Sequence, residues 1–175
     1  DTASFIISSI TGSTENNCLE KYKSATNQFY RNYQGWQTEL VSAKTKKDSI
    51  NIQQKMNGVV IASQQWRDSF TVTHPESYLS LLFRLMKEPA YSITGAKSKQ
   101  DSINAFYNYK KQYWQDISFA DDRLLRTPMF EQRLNRYMES VVFRHPDSIK
   151  VELDKFILYS RSSKTMFRYL INKFT

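Results

Sequence analysis

Asp121 and Asp122 stand next to Arg123, with Arg126 one turn on and Arg144-His145 further along the chain. Paired carboxylates can serve acid–base or glycosidic chemistry. Neighbouring guanidinium groups, however, hold carboxylates ionised rather than poised near neutrality. The spacing therefore predicts either an ion-pair knot that ends one helix and orients the next, or a contact for an anion or partner. In the second case Asp122, Arg123, Arg126 and His145 carry the contact, with the arginine forks as its donors. A second candidate is aromatic. Tyr109, Tyr113 and Trp114, with Tyr107 and the cations Lys110 and Lys111, can form a face that stacks sugars or bases. At helical spacing the same residues also read as core with an amphipathic rim.

Other chemistry lacks its residues. Both histidines, His74 and His145, precede proline at expected helix starts, and no His-x-x-x-His or Cys-x-x-Cys occurs, so no metal or other cofactor is expected. Four scattered glycines build no phosphate loop, and there is no Gly-x-Ser-x-Gly elbow. Cys18 is the lone cysteine; on a helix face it reads as a small core residue. No nucleophile, base and acid converge, and no catalysis is expected within these residues.

The elements that must position the candidates are helices. With 11 Tyr, 11 Phe and 3 Trp against 4 Gly and 4 Pro, the 175 residues suit an ordered, helix-rich globule. Ala3–Thr11 reads as a short extended lead-in. After a cap at Ser13, with Glu15 at the positive helix end, apolar steps of three and four run through Leu19, Tyr22, Ala25 or Thr26, Phe29, Tyr33, Trp36 and Leu40. Thr45 to Asp48 has capping-box spacing and opens a second stripe, Ile52, Met56, Val59, Ser63, Trp66 and Phe70. An antiparallel hairpin follows, although no Gly or Pro excludes one unbroken helix. Thr73-His74-Pro75-Glu76 predicts the start of a short, deeply buried helix ended by Pro89. Ser98, Thr127, His145-Pro146 and Ser163 predict four more starts, with a loop over 118–126. Ile103, Phe106, Tyr107, Tyr113, Trp114 and Ile117 are expected to pack inward in part. So are Phe130, Leu134, Tyr137, Met138 and Val141, then Ile149, Leu153, Phe156, Ile157 and Ser160, then Phe167, Leu170, Ile171 and Phe174. The expectation is an all-α, irregular helical bundle of about six or seven helices, with an extended segment over 1–12 and one helical domain over 13–175.

The formal charge is +8, of which residues 144–175 carry +4. The basic side chains are spread singly, with no run longer than Lys46-Lys47 or Lys110-Lys111, which suits a solvated helical surface; nucleic acid is not an expected partner. No apolar run approaches the ~20 residues that span a bilayer. A start at Asp1, without methionine or leader, reads as a processed product or an excised segment.

Some segments resemble a known family. Gly12-Ser-Thr-Glu-Asn16 with Leu19 and Tyr22, Pro75-Glu-Ser-Tyr78 with Leu82, and Met86-Lys-Glu-Pro89 are similar to parts of a helical domain of unknown function found in Bacteroidetes envelope proteins of the thioredoxin-like, thiol–disulfide interchange type. Arg123-Leu-Leu-Arg-Thr-Pro128, His145-Pro-Asp-Ser-Ile149 and Met166-Phe-Arg-Tyr169 are the nearest matches, and the resemblance spans most of 12–175. It implies a β-domain before this region and a thioredoxin-like domain after it, in the periplasm or anchored as a lipoprotein. It supplies no catalytic residues within the helical part. The expected function is a non-catalytic accessory domain whose partners are the neighbouring domains of a parent chain and a protein client. The alternative is a glycan- or peptide-binding helical module.

Overall fold

The computed structural model describes residues 12–175; the lead-in expected at Ala3–Thr11 lies outside the described residues. They form seven α-helices: α1 (Thr14–Ser42), α2 (Lys46–Thr73), α3 (Tyr78–Met86), α4 (Lys99–Gln112), α5 (Pro128–Ser140), α6 (Pro146–Tyr159) and α7 (Lys164–Phe174). A 3-10 turn, Asp122–Arg126, occupies part of the expected loop before α5. No strand occurs among the described residues, and the all-α expectation holds. Where the sequence predicts one helical domain, the chain divides into two compact units whose boundary falls inside α3, between Ser80 and Leu81.

In the first unit α1 and α2 pack as a hairpin. The break between them is local chemistry. Thr45 Oγ1 accepts the Asp48 N–H at 3.1 Å and donates to the Asp48 carboxylate at 2.6 Å, so the second helix starts afresh. All six expected α2 stripe residues are buried or half-buried. In α1 the face runs through Cys18, Tyr22, Ala25, Phe29, Tyr33, Trp36 and Leu40; Leu19 turns outward, and Cys18 fills the interior position instead. Trp66 stacks on Phe70 with ring centres 5.3 Å apart, and Phe70 on His74 at 4.5 Å.

His74 closes α2 rather than opening α3: its N–H is bonded to the Phe70 carbonyl at 2.9 Å. The start of α3 is supplied from far along the chain. The Glu15 carboxylate accepts the Ser77 hydroxyl and the Tyr78 N–H, each at 2.9 Å. Glu15, expected to serve its own helix end, thus also satisfies an orphan donor of another helix. The predicted burial of α3 holds at Leu79, Leu81, Phe83 and Leu85.

The second unit is built around rings. Trp114, Phe119, Phe130, Tyr137 and Phe156 meet with centroids 5.2–6.2 Å apart, mostly edge to face, the geometry that ring quadrupoles favour. Caps fall where the sequence predicts. Ser98 and Asp101 form a reciprocal capping box, Thr127 accepts the Met129 N–H with Pro128 behind it, and Ser163 accepts the Met166 N–H. Three expected inward residues differ: Ile103, Tyr107 and Phe167 lie at the surface, and Met166 is the buried residue of the α7 start.

Candidate functional site

The arginine turn divides its residues between two jobs. Asp121, the residue before the turn, accepts the Arg123 N–H at 3.0 Å and grips the Arg123 guanidinium with both carboxylate oxygens at 2.7–3.2 Å. These hydrogen bonds hold the Asp121 carboxyl below the usual range against the opposing effect of burial. Asp122 accepts the Ser163 hydroxyl, which ties the turn to the start of α7. The expected knot is therefore present, with Asp121 as its acid rather than Asp122. Arg126 is different. It is exposed, makes no ion pair among the described residues, and borders a recess of about 240 Å³ with Thr127, Glu131 and Tyr169. The Tyr169 hydroxyl is buried and has no partner among the described residues, and burial pushes its pKa up. His145 belongs elsewhere: it precedes α6, exposed, with Nδ1 3.6 Å from the Asp147 carboxylate.

The expected aromatic ligand face is largely interior. Tyr113 has no exposed surface and offers no face to a ligand; Tyr109 is half-buried and touches it edge to face. Burial, reinforced by Glu88, pushes the Tyr113 phenol up to about 12. Both Tyr113 and Trp114 flank the guanidinium of Arg133, whose carbon lies 4.8 Å and 5.5 Å from their ring centres.

Arg133 is the best-connected buried cation. Its Nη1 donates to the carbonyls of Arg84, Leu85 and Lys87 at 2.8–3.0 Å, and its Nη2 donates to the Tyr113 carbonyl. The carbonyls at the end of α3 need partners beyond the helix, and a cation suits the negative helix end, so Arg133 caps it together with the Lys87 N–H. Burial lowers its pKa, which still leaves a guanidinium charged.

A second buried charge lies on α6. Glu152 is 3% exposed. Its carboxylate accepts the Tyr137 hydroxyl at 2.8 Å, Lys155 at 2.8 Å and Lys110 at 2.9 Å. Burial pushes its pKa up, but the bonds from the two lysines and the tyrosine outweigh that and leave the carboxyl below its ordinary value. The Tyr137 phenol moves up, through burial and then through its bond to Glu152. Sequence reading missed both charges. The available signal was position: Arg133 lies three residues after Phe130 and four before Tyr137, and Glu152 four before Phe156, so each sits on a stripe reserved for apolar side chains.

Glu152 forms part of the floor of a cleft of about 640 Å³ between α4 and α6. Phe106, Tyr107, Trp114, Phe143 and Tyr159 supply its aromatic lining, and Lys110, Lys111 and Lys155 its cations. Among the described residues no three His, Cys, Asp or Glu side chains gather as metal ligands, and no helix is long and apolar enough to cross a membrane. Compared with family models, curated proteins and solved structures, the chain matches none.

Proposed function

We propose that this chain is a non-catalytic interaction domain that docks a protein partner through the recess beside Arg126. The division of labour at the turn supports this most directly. Arg123 is engaged by Asp121, whereas Arg126 is exposed and makes no ion pair among the described residues, at a recess that Tyr169 also lines. The exposed arginine suits an acidic side chain, which an arginine fork binds with two parallel hydrogen bonds. The resemblance noted above gives this role a setting: an accessory domain of a cell-envelope thiol–disulfide oxidoreductase-like protein, which positions the redox domain or presents a surface to its client. Burial of Cys18 and engagement of the interior charges fit a supporting rather than a reactive part.

Purified chain titrated with a separately expressed envelope thioredoxin-like domain tests the reading by two-dimensional NMR. Amide shifts should centre on 125–131 and Tyr169. Arg126→Ala should weaken the complex about tenfold, while unfolding free energy changes by less than about 0.5 kcal/mol because the side chain is exposed. Unchanged binding in the variant, or shifts that avoid this recess, rejects the docking site. Reduction of insulin disulfides by the chain above the dithiothreitol background would reject the non-catalytic role.

A further inference from the structure

The α4–α6 cleft combines an aromatic lining with a lysine that has no ion pair among the described residues. Glu152 is already engaged, by Tyr137, Lys110 and Lys155, while Asp147, the other lining carboxylate, is exposed. One lysine is not engaged. Lys111 is exposed and makes no ion pair among the described residues. The N-terminus of α6 borders the same cleft through Asp147 and Ser148 and has no side-chain cap. An unpaired cation and a helix start without a side-chain cap at a concave site call for a ligand that brings acceptors.

Charge narrows the class. Lys110, Lys111 and Lys155 face two carboxylates, Glu152 and Asp147, which leaves one positive charge uncompensated. Lys110 and Lys155 are both held on Glu152, so Lys111 is the lysine left to meet a ligand. The size, about 640 Å³, is that of a small-molecule site rather than a polymer track. Tyr107, Phe143 and Tyr159 are each more than half exposed at its edge, and offer faces to a flat ring.

We infer that this cleft binds a small organic carboxylate carried on a planar ring, with the ring against the aromatic lining and the carboxylate on Lys111. This is a separate site from the Arg126 recess and does not depend on the docking role. A single negative charge matches the net charge of the lining.

The test uses the whole chain and two probes, indole-3-acetate and its neutral amide, in low salt. Amide shifts in two-dimensional NMR should map to 106–114 and 143–159, and the acetate should bind about tenfold more tightly than the amide. Lys111→Glu should abolish that preference and Lys111→Gln reduce it, each with an unchanged unfolding midpoint. Tyr107→Ala should weaken both probes alike. Equal binding of acetate and amide overturns the inference. So does an unaltered preference in both Lys111 variants, a response elsewhere on the chain, or no response at 10 mM probe (roughly the weakest affinity such a site is expected to show).

Discussion

Glu152 and Arg133 are both charged and both almost wholly buried, yet they reach a stable state by different routes. Arg133 spends its Nη donors on backbone carbonyls at the end of α3 and leaves its buried Nε–H without a partner among the described residues. Glu152 spends its acceptors on side chains from α4, α5 and α6 itself, and so ties three helices at one point. Burying a lone carboxylate costs several kcal/mol, and only good hydrogen-bond geometry offsets this. The downward shift of its pKa says that the three donors win. A group whose folded pKa is lowered stabilises the fold above its unfolded value, and that contribution disappears as the pH falls through the folded value. Stability from Glu152 should therefore be complete at neutral pH and fade below about pH 4, the ordinary glutamate range. Glu152→Gln should cost about 2 kcal/mol at pH 7, less than a fully buried pair because Lys155 is partly exposed. Urea unfolding of both proteins at pH 7, 5, 4 and 3 checks this. The gap between them should close towards pH 3; a gap that is constant or widens contradicts the assignment.

The helix starts show which features of an element can be read locally. Ser13, Thr45, Ser98, Thr127 and Ser163 all cap as the sequence predicts, because a cap and the N–H it accepts lie two or three residues apart. The start of α3 could not be read this way. Thr73-His74-Pro75 has the composition of a start, but Phe70 draws the His74 N–H into the end of α2, and the real partner of α3 is Glu15, 63 residues from Tyr78. Stripe positions were legible for the same local reason, and they failed at Leu19, where Cys18 takes the buried place, at Ile103 and Tyr107, and at Phe167, where Met166 is buried instead. Of the candidate site, the ion-pair knot was legible as a cluster but not in its pairing. The α4–α6 cleft was not legible, since it joins residues of two helices that only packing brings together. The long-range cap has a measurable worth. Glu15→Ala should cost about 1 kcal/mol, as loss of a capping side chain does. Glu20→Ala, which removes only an exposed pair with Lys23, should stay within about 0.5 kcal/mol. Equal losses in the two variants, measured by urea unfolding, would show that Glu15 acts as one more surface charge.

At the scale of the whole chain, the two units differ in how much they bury per residue of helix. Along α1 and α2, 29 and 28 residues long, only Cys18, Ile52 and Phe70 are fully buried. The 13 residues of α5 bury Phe130, Arg133, Leu134 and Tyr137. Burial of apolar surface is the main term that favours the folded chain, and local opening is easiest where it is thinnest. Helix propensity does not make up the difference, because a helix in water owes most of its stability to the face it packs. Val41, Val60, Ile61 and Val72 add apolar surface that the hairpin leaves in solvent. Backbone amides in the middle of α1 and α2 should therefore exchange with deuterium about 10–100-fold faster than those of α5, a difference of roughly 1.4–2.8 kcal/mol in opening free energy. Hydrogen–deuterium exchange read by mass spectrometry resolves the two regions as separate peptides. If the hairpin exchanges as slowly as α5, its half-buried stripe carries more stability than its area implies, and the thin seam is not the weak part of the molecule. If it exchanges faster, a ligand in the α4–α6 cleft should slow exchange in α4 and α6 first, because only the groups it touches gain directly from its binding.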